Sequence, residues 1–160
     1  MARAFVALGS NLDDTRSQVV RGFDALAKLP NTKLNSRSRL YRSAPWGITE
    51  QPEFINAVAE LETGLEPREV LDALLAIERA AGRARNGARW GPRVLDLDLL
   101  LYGDRRSDEP GLTLPHPHLH ERAFVLLPLN DVAPDLRVPG RGRVRELLKQ
   151  VDASGCAVMD

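Results

Sequence analysis

Two aspartates stand two residues apart in a run of leucines, Leu95-Asp96-Leu97-Asp98-Leu99-Leu100-Leu101. In an extended chain the period of two puts Asp96 and Asp98 on one face. Leu95, Leu97, Leu99 and Leu101 then take the other face, which must be core. The two aspartate Cα atoms lie about 6–7 Å apart along such a strand. Carboxylates that close, flanked by leucines, repel unless a cation lies between them. A pair of hard divalent ions such as Mg²⁺, about 3.5–4 Å apart and sharing phosphate oxygens, would supply that cation. Two exposed acids on a half-buried strand would give the same pattern, so the pair alone decides nothing.

The segment before it adds weight. Arg79, Arg83, Arg85, Arg89 and Arg93 fall within fifteen residues, with no acidic residue between Arg79 and Leu95. An arginine run on a solvated helix face needs acidic partners one turn away. Here the helical pattern ends near Gly82 and those partners are missing. Guanidinium groups grip phosphate oxygens bidentately, which suits a loop that leads into a metal-binding carboxylate pair. Trp90 and Pro92 give the same loop an apolar surface able to close over a nucleotide. His116, His118 and His120 alternate as zinc ligands can, but prolines break the spacing and no cysteine is near. One of them serving as a phosphate donor fits the setting better. No G-x-x-x-x-G-K-[ST] loop and no G-x-S-x-G elbow occurs, and Gly9-Ser10-Asn11 is too short for a dinucleotide fingerprint.

These residues need elements to hold them. Residues 4–8 read as a buried strand closed by a turn at Gly9. Asp13 and Asp14 then open a helix carrying Val19, Val20, Phe23, Leu26 and Leu29 up to Pro30. A strand is expected over residues 34–41, and another over 54–61 with Phe54, Asn56, Val58 and Glu60 on one face. Pro67 starts a second helix with Val70, Leu71, Leu74, Ile77 and Ala81 as its apolar stripe. Residues 94–102 form the next strand, residues 112–114 are extended, and helices follow at 121–129 and 144–151. The order β-α-β-β-α-β is that of an α+β, ferredoxin-like fold: an antiparallel sheet with helices on one face. Residues 43–53 and 82–92 are long loops, and loops of that length in a small domain tend to carry function.

With 160 residues, 43% hydrophobic and 28% charged, the chain suits one globular domain spanning 1–160. Twenty-two basic residues balance 22 acidic ones, so polyanion binding must come from a local patch rather than from net charge. Nineteen of the basic residues are arginine. Cys156 is the lone cysteine, which leaves no disulfide framework. Neither a signal segment nor a run of about 20 apolar residues is found, so the cytoplasm is the expected compartment.

The twelve residues Arg89-Trp90-Gly91-Pro92-Arg93-Val94-Leu95-Asp96-Leu97-Asp98-Leu99-Leu100 resemble the signature of the 6-hydroxymethyl-7,8-dihydropterin pyrophosphokinase family. The likeness extends through Ala7-Leu8-Gly9-Ser10-Asn11-Leu12, Tyr41-Arg42-Ser43, Gln51-Pro52-Glu53-Phe54-Ile55-Asn56-Ala57, Leu114-Pro115-His116-Pro117 and Glu121-Arg122-Ala123-Phe124. It implies transfer of pyrophosphate from ATP to a pterin hydroxymethyl group in folate biosynthesis, by a cytoplasmic monomer without nucleic-acid or membrane partners. By this resemblance Asp96 and Asp98 bind two Mg²⁺ ions, while Arg83 and Arg93 on the loops assist transfer. Glu78, Arg85, Arg89, Trp90, His116 and Arg122 would line the ATP site. The pterin would stack between Phe54 and Phe124, with Asn56 and the backbone of Ser43, Ala44 and Trp46 reading its polar edge. Without the resemblance, Phe54 and Phe124 read as core and Glu78 as a salt-bridge partner. Gly111 and Leu75 stand where relatives often carry an arginine and a glutamine. Two readings from other classes stay open: a single-stranded RNA binder, which would bind without metal and with steep salt dependence, and an ATP-binding regulatory module, which would release no AMP.

Overall fold

The computed structural model describes residues 1–12, 14–43, 53–82 and 94–159. In chain order they form β1 (Ala2–Ser10), α1 (Thr15–Ala27), β2 (Thr32–Arg37), β3 (Tyr41–Ser43), β4 (Phe54–Thr63) and α2 (Pro67–Ala80). Then come β5 (Asp96–Tyr102), β6 (Ser107–Glu109), β7 (Leu112–Leu114), a 3₁₀ turn (Leu119–Glu121) and α3 (Ala123–Val132). The chain closes with β8 (Arg137–Val138), β9 (Gly142–Arg143), α4 (Val144–Leu148) and β10 (Cys156–Val158). One antiparallel sheet runs in the order β10-β3-β4-β1-β5, with β2 also paired to β4. β6-β7 and β8-β9 are separate two-stranded ribbons.

Alternation along the central strands builds two cores. Ala4, Val6 and Leu8 of β1, with Ile55, Ala57, Ala59 and Leu61 of β4, meet Val19, Phe23 and Leu26 of α1 and Val70 and Leu74 of α2. This is the expected layer, and both helices start as their sequences require. Asp14 caps α1 by accepting from Ser17, and Glu66 and Glu69 form a capping box ahead of α2, with Pro67 in its first turn. Asp13, the other acid expected there, lies outside the described residues. The opposite face is covered too: Phe5, Val58 and Leu100 pack beneath Val125, Leu126 and Leu129 of α3 and Val144 and Leu147 of α4. Helices thus cover both faces of the sheet and not the one face expected, because α3 and α4 add a second layer.

Four expectations change in detail. The strand expected over residues 34–41 is broken into β2 and β3. At the break the Ser38 N–H donates to the Val58 carbonyl at 2.9 Å and its hydroxyl accepts from the Val58 N–H at 2.8 Å. A side chain replaces one ladder bond there, and the chain bends. Leu101 does not share a face with Leu95, Leu97 and Leu99. A bulge aligns Phe5 with Leu101 and Val6 with Leu99, so Leu100 is unopposed and both Leu100 and Leu101 enter the second core. The helix expected near residues 121–129 begins at Ala123 and runs to Val132, behind the 3₁₀ turn, and the last one ends at Leu148. The loops expected at 43–53 and 82–92 fall almost wholly on residues 44–52 and 83–93, outside the described ones.

Candidate active site

Residues directly opposite one another in an antiparallel sheet share a face. Asp96 of β5 stands opposite Gly9 of β1, Gly9 opposite Asn56 of β4, and Asn56 opposite Tyr41 of β3. One row across four strands therefore holds an expected metal ligand and an expected pterin contact. Asp98 pairs with Ala7 and Phe54 with Ser43, which puts both on that same face. A Cβ added to Gly9 would come within 3.5 Å of Asn56 Oδ1 and 4.0 Å of the Phe54 ring. Glycine there keeps the floor between Asp96 and Asn56 low.

The edge strand β5 is fixed from outside. Glu78 of α2, only 2% exposed, accepts the Leu97 N–H on its Oε2 at 2.7 Å, between the two aspartates. Further along the strand, the Leu100 carbonyl accepts from the His116 N–H at 2.9 Å. Asp96 and Asp98 themselves are half-buried. Next to Asp98 a cavity of about 200 Å³ opens between Leu71 of α2, Leu97 and Leu99 of β5, Thr113 of β7 and His116. Leucine side chains line it together with the Asp98 carboxylate, the Thr113 hydroxyl and the His116 imidazole, so it is as polar as it is apolar. Sequence reasoning misses Leu71 and Thr113 as site residues; the polar residue inside Leu112-Thr113-Leu114 is the available signal. Gly111, also on its wall, has φ +75°, in the left-handed region that a side chain at this turn would strain.

His116 is tuned for hydrogen bonding without charge. Its Nδ1 accepts from the His118 N–H at 3.2 Å, which leaves the proton of the neutral ring on Nε2. Burial, then the positive charges of Arg122 and His118, push its pKa down to about 4, against a smaller upward pull from Asp96. The ring is neutral at pH 7. A histidine depressed from 6.5 in the unfolded chain costs stability as pH falls through 6.5 towards 4, by roughly 2 kcal/mol after allowance for partial exposure. His116→Gln should flatten that part of the profile. Melting curves of the two proteins, free of ligand, between pH 7 and pH 4 check this, and parallel curves would remove the depressed pKa.

The other wall comes from α3 and the C-terminal strand. Asn56, 6% exposed, donates from Nδ2 to the Ser43 hydroxyl at 2.7 Å. Phe124 lies in the first turn of α3, with the Arg122 guanidinium 5.6 Å over its ring. A cavity of about 630 Å³ is bounded by Ser43, Arg122, Phe124, Gln150, Asp152 and Cys156. Cys156 pairs with Ser43, so β10 places the C-terminal segment in this wall, a role the sequence does not disclose. The structure thus gathers Asp96, Asp98, Glu78 and His116 around β5, and Ser43, Asn56, Phe54, Phe124 and Arg122 beside it. Arg83, Arg85, Arg89, Trp90, Arg93, Ala44 and Trp46 lie outside the described residues.

Among the described residues no group of three or more His, Cys, Asp or Glu could hold a metal by itself. Nor is any described helix long and apolar enough to cross a membrane.

The family model described as 7,8-dihydro-6-hydroxymethylpterin-pyrophosphokinase (HPPK) matches residues 5–134. A Pseudomonas aeruginosa protein named 2-amino-4-hydroxy-6-hydroxymethyldihydropteridine pyrophosphokinase is 53% identical over 146 residues, covering 91% of this chain and 90% of its own. A protein of the same name from Methylorubrum extorquens is 44% identical over 155 residues, 97% of each chain. The crystal structure of wild-type Plasmodium falciparum HPPK-DHPS superposes with a TM-score of 0.71 over 93% of this chain at 15% identity. That similarity concerns the fold alone, and this chain spans 41% of the Plasmodium one.

Proposed function

Because this chain belongs to the 7,8-dihydro-6-hydroxymethylpterin-pyrophosphokinase family, we propose that it moves the β,γ-pyrophosphate of ATP onto the hydroxymethyl group of 6-hydroxymethyl-7,8-dihydropterin, releasing AMP. The observation that carries the reading is the shared face. Asp96, Asp98, Asn56, Phe54 and Ser43 all project from one side of the sheet, and α3 adds Phe124 and Arg122 beside them. A phosphate-handling carboxylate pair and a surface for a flat heterocycle are therefore neighbours.

The donor set fits Mg²⁺. This ion takes one or two protein carboxylates and completes its shell with water and substrate phosphates, so a pair without a third protein ligand is suitable. Asp96 and Asp98 would hold two such ions, which when bound neutralise charge on the ATP phosphate oxygens. The chain's own groups do the rest. Leu71, Leu99 and Thr113 offer the slot for the nucleotide, with His116 giving an Nε2–H to a phosphate without adding charge. Glu78 fixes the strand between the carboxylates. Arg85, Arg89, Trp90 and Arg122 are assigned to the nucleotide, and Arg83 and Arg93 to charge that develops during transfer. On the pterin side, Phe54 and Phe124 supply aromatic faces. Asn56, with the backbone of Ser43, Ala44 and Trp46, reads the polar edge. The pterin hydroxyl oxygen forms a bond to the β-phosphorus as the bond from that phosphorus to the AMP oxygen breaks, and the hydroxyl proton passes to solvent water. Alignment and electrostatics carry the rate. The domain is taken as residues 1–160, a cytoplasmic monomer with two small-molecule substrates and no nucleic-acid or membrane partner.

The test is product analysis of the purified chain with ATP, Mg²⁺ and the hydroxymethyl pterin. AMP and pterin diphosphate should appear in equal amounts, and neither without the pterin. ADP as product, or ATP binding with no AMP, would replace this reading with ordinary kinase chemistry or a regulatory module. Metal-independent RNA binding with steep salt dependence would replace it with the nucleic-acid reading.

A further inference from the structure

Helix α3 meets strand β3 through three polar side chains that touch neither expected substrate. Asp131 lies in the last turn of α3, where the helix dipole disfavours a carboxylate. Its partners compensate. Arg39 donates its backbone N–H and its Nε to Oδ2 at 3.1 and 3.2 Å, and its Nη2 to Oδ1 at 2.9 Å. The Tyr41 hydroxyl lies 2.9 Å from each carboxylate oxygen and accepts from Arg39 Nη2 at 3.0 Å. Tyr41 is 4% exposed and the Asp131 side chain 15%. The arginine is more open, but its bidentate grip and its place 5.6 Å over the Tyr41 ring distinguish it from a loose surface pair. Burial and the carboxylate raise the Tyr41 pKa to about 12, so the hydroxyl keeps its proton to donate.

The position of this cluster matters more than its strength. Phe124 and Asp131 are seven residues apart on α3, close to two full turns, so they lie along one stripe of the helix about 10 Å apart. Tyr41 and Ser43 are two residues apart on β3 and share a face. The far end of the helix is therefore fastened at Tyr41, while its near end carries Phe124 beside Ser43 across the 630 Å³ cavity. Pro128 lies between them and cannot donate the helical bond to the Phe124 carbonyl. The first turn thus owes its place to the packing of Val125, Leu126 and Leu129 and to whatever fixes the rest of the helix.

We propose that Asp131, Tyr41 and Arg39 are positioning residues that set the spacing between Phe124 and Ser43, and so the affinity for the pterin. The proposal rests on the reading that the pterin lies against those two residues. The nucleotide slot is built from α2, β5 and β7, and of the described residues assigned to the nucleotide Arg122 alone is carried by α3, at its N-cap. The two substrates should therefore respond differently.

The experiment compares Tyr41→Phe, Asp131→Asn and Phe124→Ala with the wild type in steady-state kinetics, nucleotide titration and thermal melting. Tyr41→Phe removes one oxygen and keeps the ring, so it folds even if Asp131→Asn does not. For Tyr41→Phe and Asp131→Asn the expected result is a five- to tenfold rise in KM for the pterin. Their kcat at saturation should stay within twofold, and the Kd of a non-hydrolysable ATP analogue should rise by less than half as much as the pterin KM, through Arg122 alone. A merely structural role would lower the melting temperature and leave the pterin KM alone. Leu26→Ala, which empties the opposite core, is the control for that behaviour. Pterin KM within twofold in Tyr41→Phe, with Phe124→Ala raised more than tenfold, overturns the brace alone. Pterin KM unchanged in Phe124→Ala overturns the placement of the pterin and the brace with it.

Discussion

Asp96→Ala and Asp98→Ala should each cut turnover by several orders of magnitude while the melting temperature holds or rises. Both carboxylates are half-buried on one face of an edge strand, opposite Gly9 and Ala7. Like charges on same-face positions of one strand, with Cα atoms about 6–7 Å apart, repel, so removing one relieves part of that repulsion. The same removal takes away half of what would hold the cations against the ATP phosphates, and charge neutralisation there carries most of the rate. Loss of function with stability kept separates this from a folding defect, the usual consequence of a half-buried substitution. Single-turnover AMP release beside melting curves makes the measurement. Activity within tenfold of wild type for both variants would remove the carboxylate pair from the chemistry.

What can be read from the chain follows from how local each cause is. The leucine–aspartate alternation of β5 and the apolar stripes of α1 and α2 are set by neighbours two to four residues away, and the structure keeps them with ends moved by one or two residues. Alternation alone misplaces Leu101, because a bulge depends on which residue of β1 lies opposite, and that register is not written in β5 itself. The second helical layer has the same origin. Periodicity puts Val58 on the polar face of its strand, yet it is fully buried because α3 and α4 return to cover it. Long-range polar pairs are the least legible. Arg39 and Asp131 are 92 residues apart, and nothing near either one announces the other. Nor does Ser38, 20 residues from the backbone it satisfies, give notice that a strand breaks there. At the site, the expected residues within the described segments converge as two groups. The C-terminal segment joins them only because β10 pairs with β3, an arrangement three residues long and too short for a periodic signal.

Glu78 shows how one buried carboxyl group can serve both fold and site. In sequence it reads equally as a salt-bridge partner and as part of the nucleotide site. The structure adds a third role, since its Oε2 accepts the Leu97 N–H at 2.7 Å and pins β5 midway between Asp96 and Asp98. Glu78→Ala leaves that N–H facing a cavity, and an unmet buried donor plus lost packing together cost about 2–4 kcal/mol. In a chain of this size that lowers the melting temperature by roughly 5–12 °C. Because the released strand carries both carboxylates, turnover should fall at least a hundredfold at temperatures where the variant is still folded. Glu78→Gln separates strand anchoring from the carboxyl group's own contribution. Its amide oxygen can still accept from Leu97, so most of the stability should return, and whatever activity stays lost then belongs to the carboxyl group itself and not to the anchoring of β5. Melting curves and AMP release on both variants decide it. A Glu78→Ala protein that melts with the wild type would show that β5 holds its place without this bond, and the carboxylate spacing would need another support.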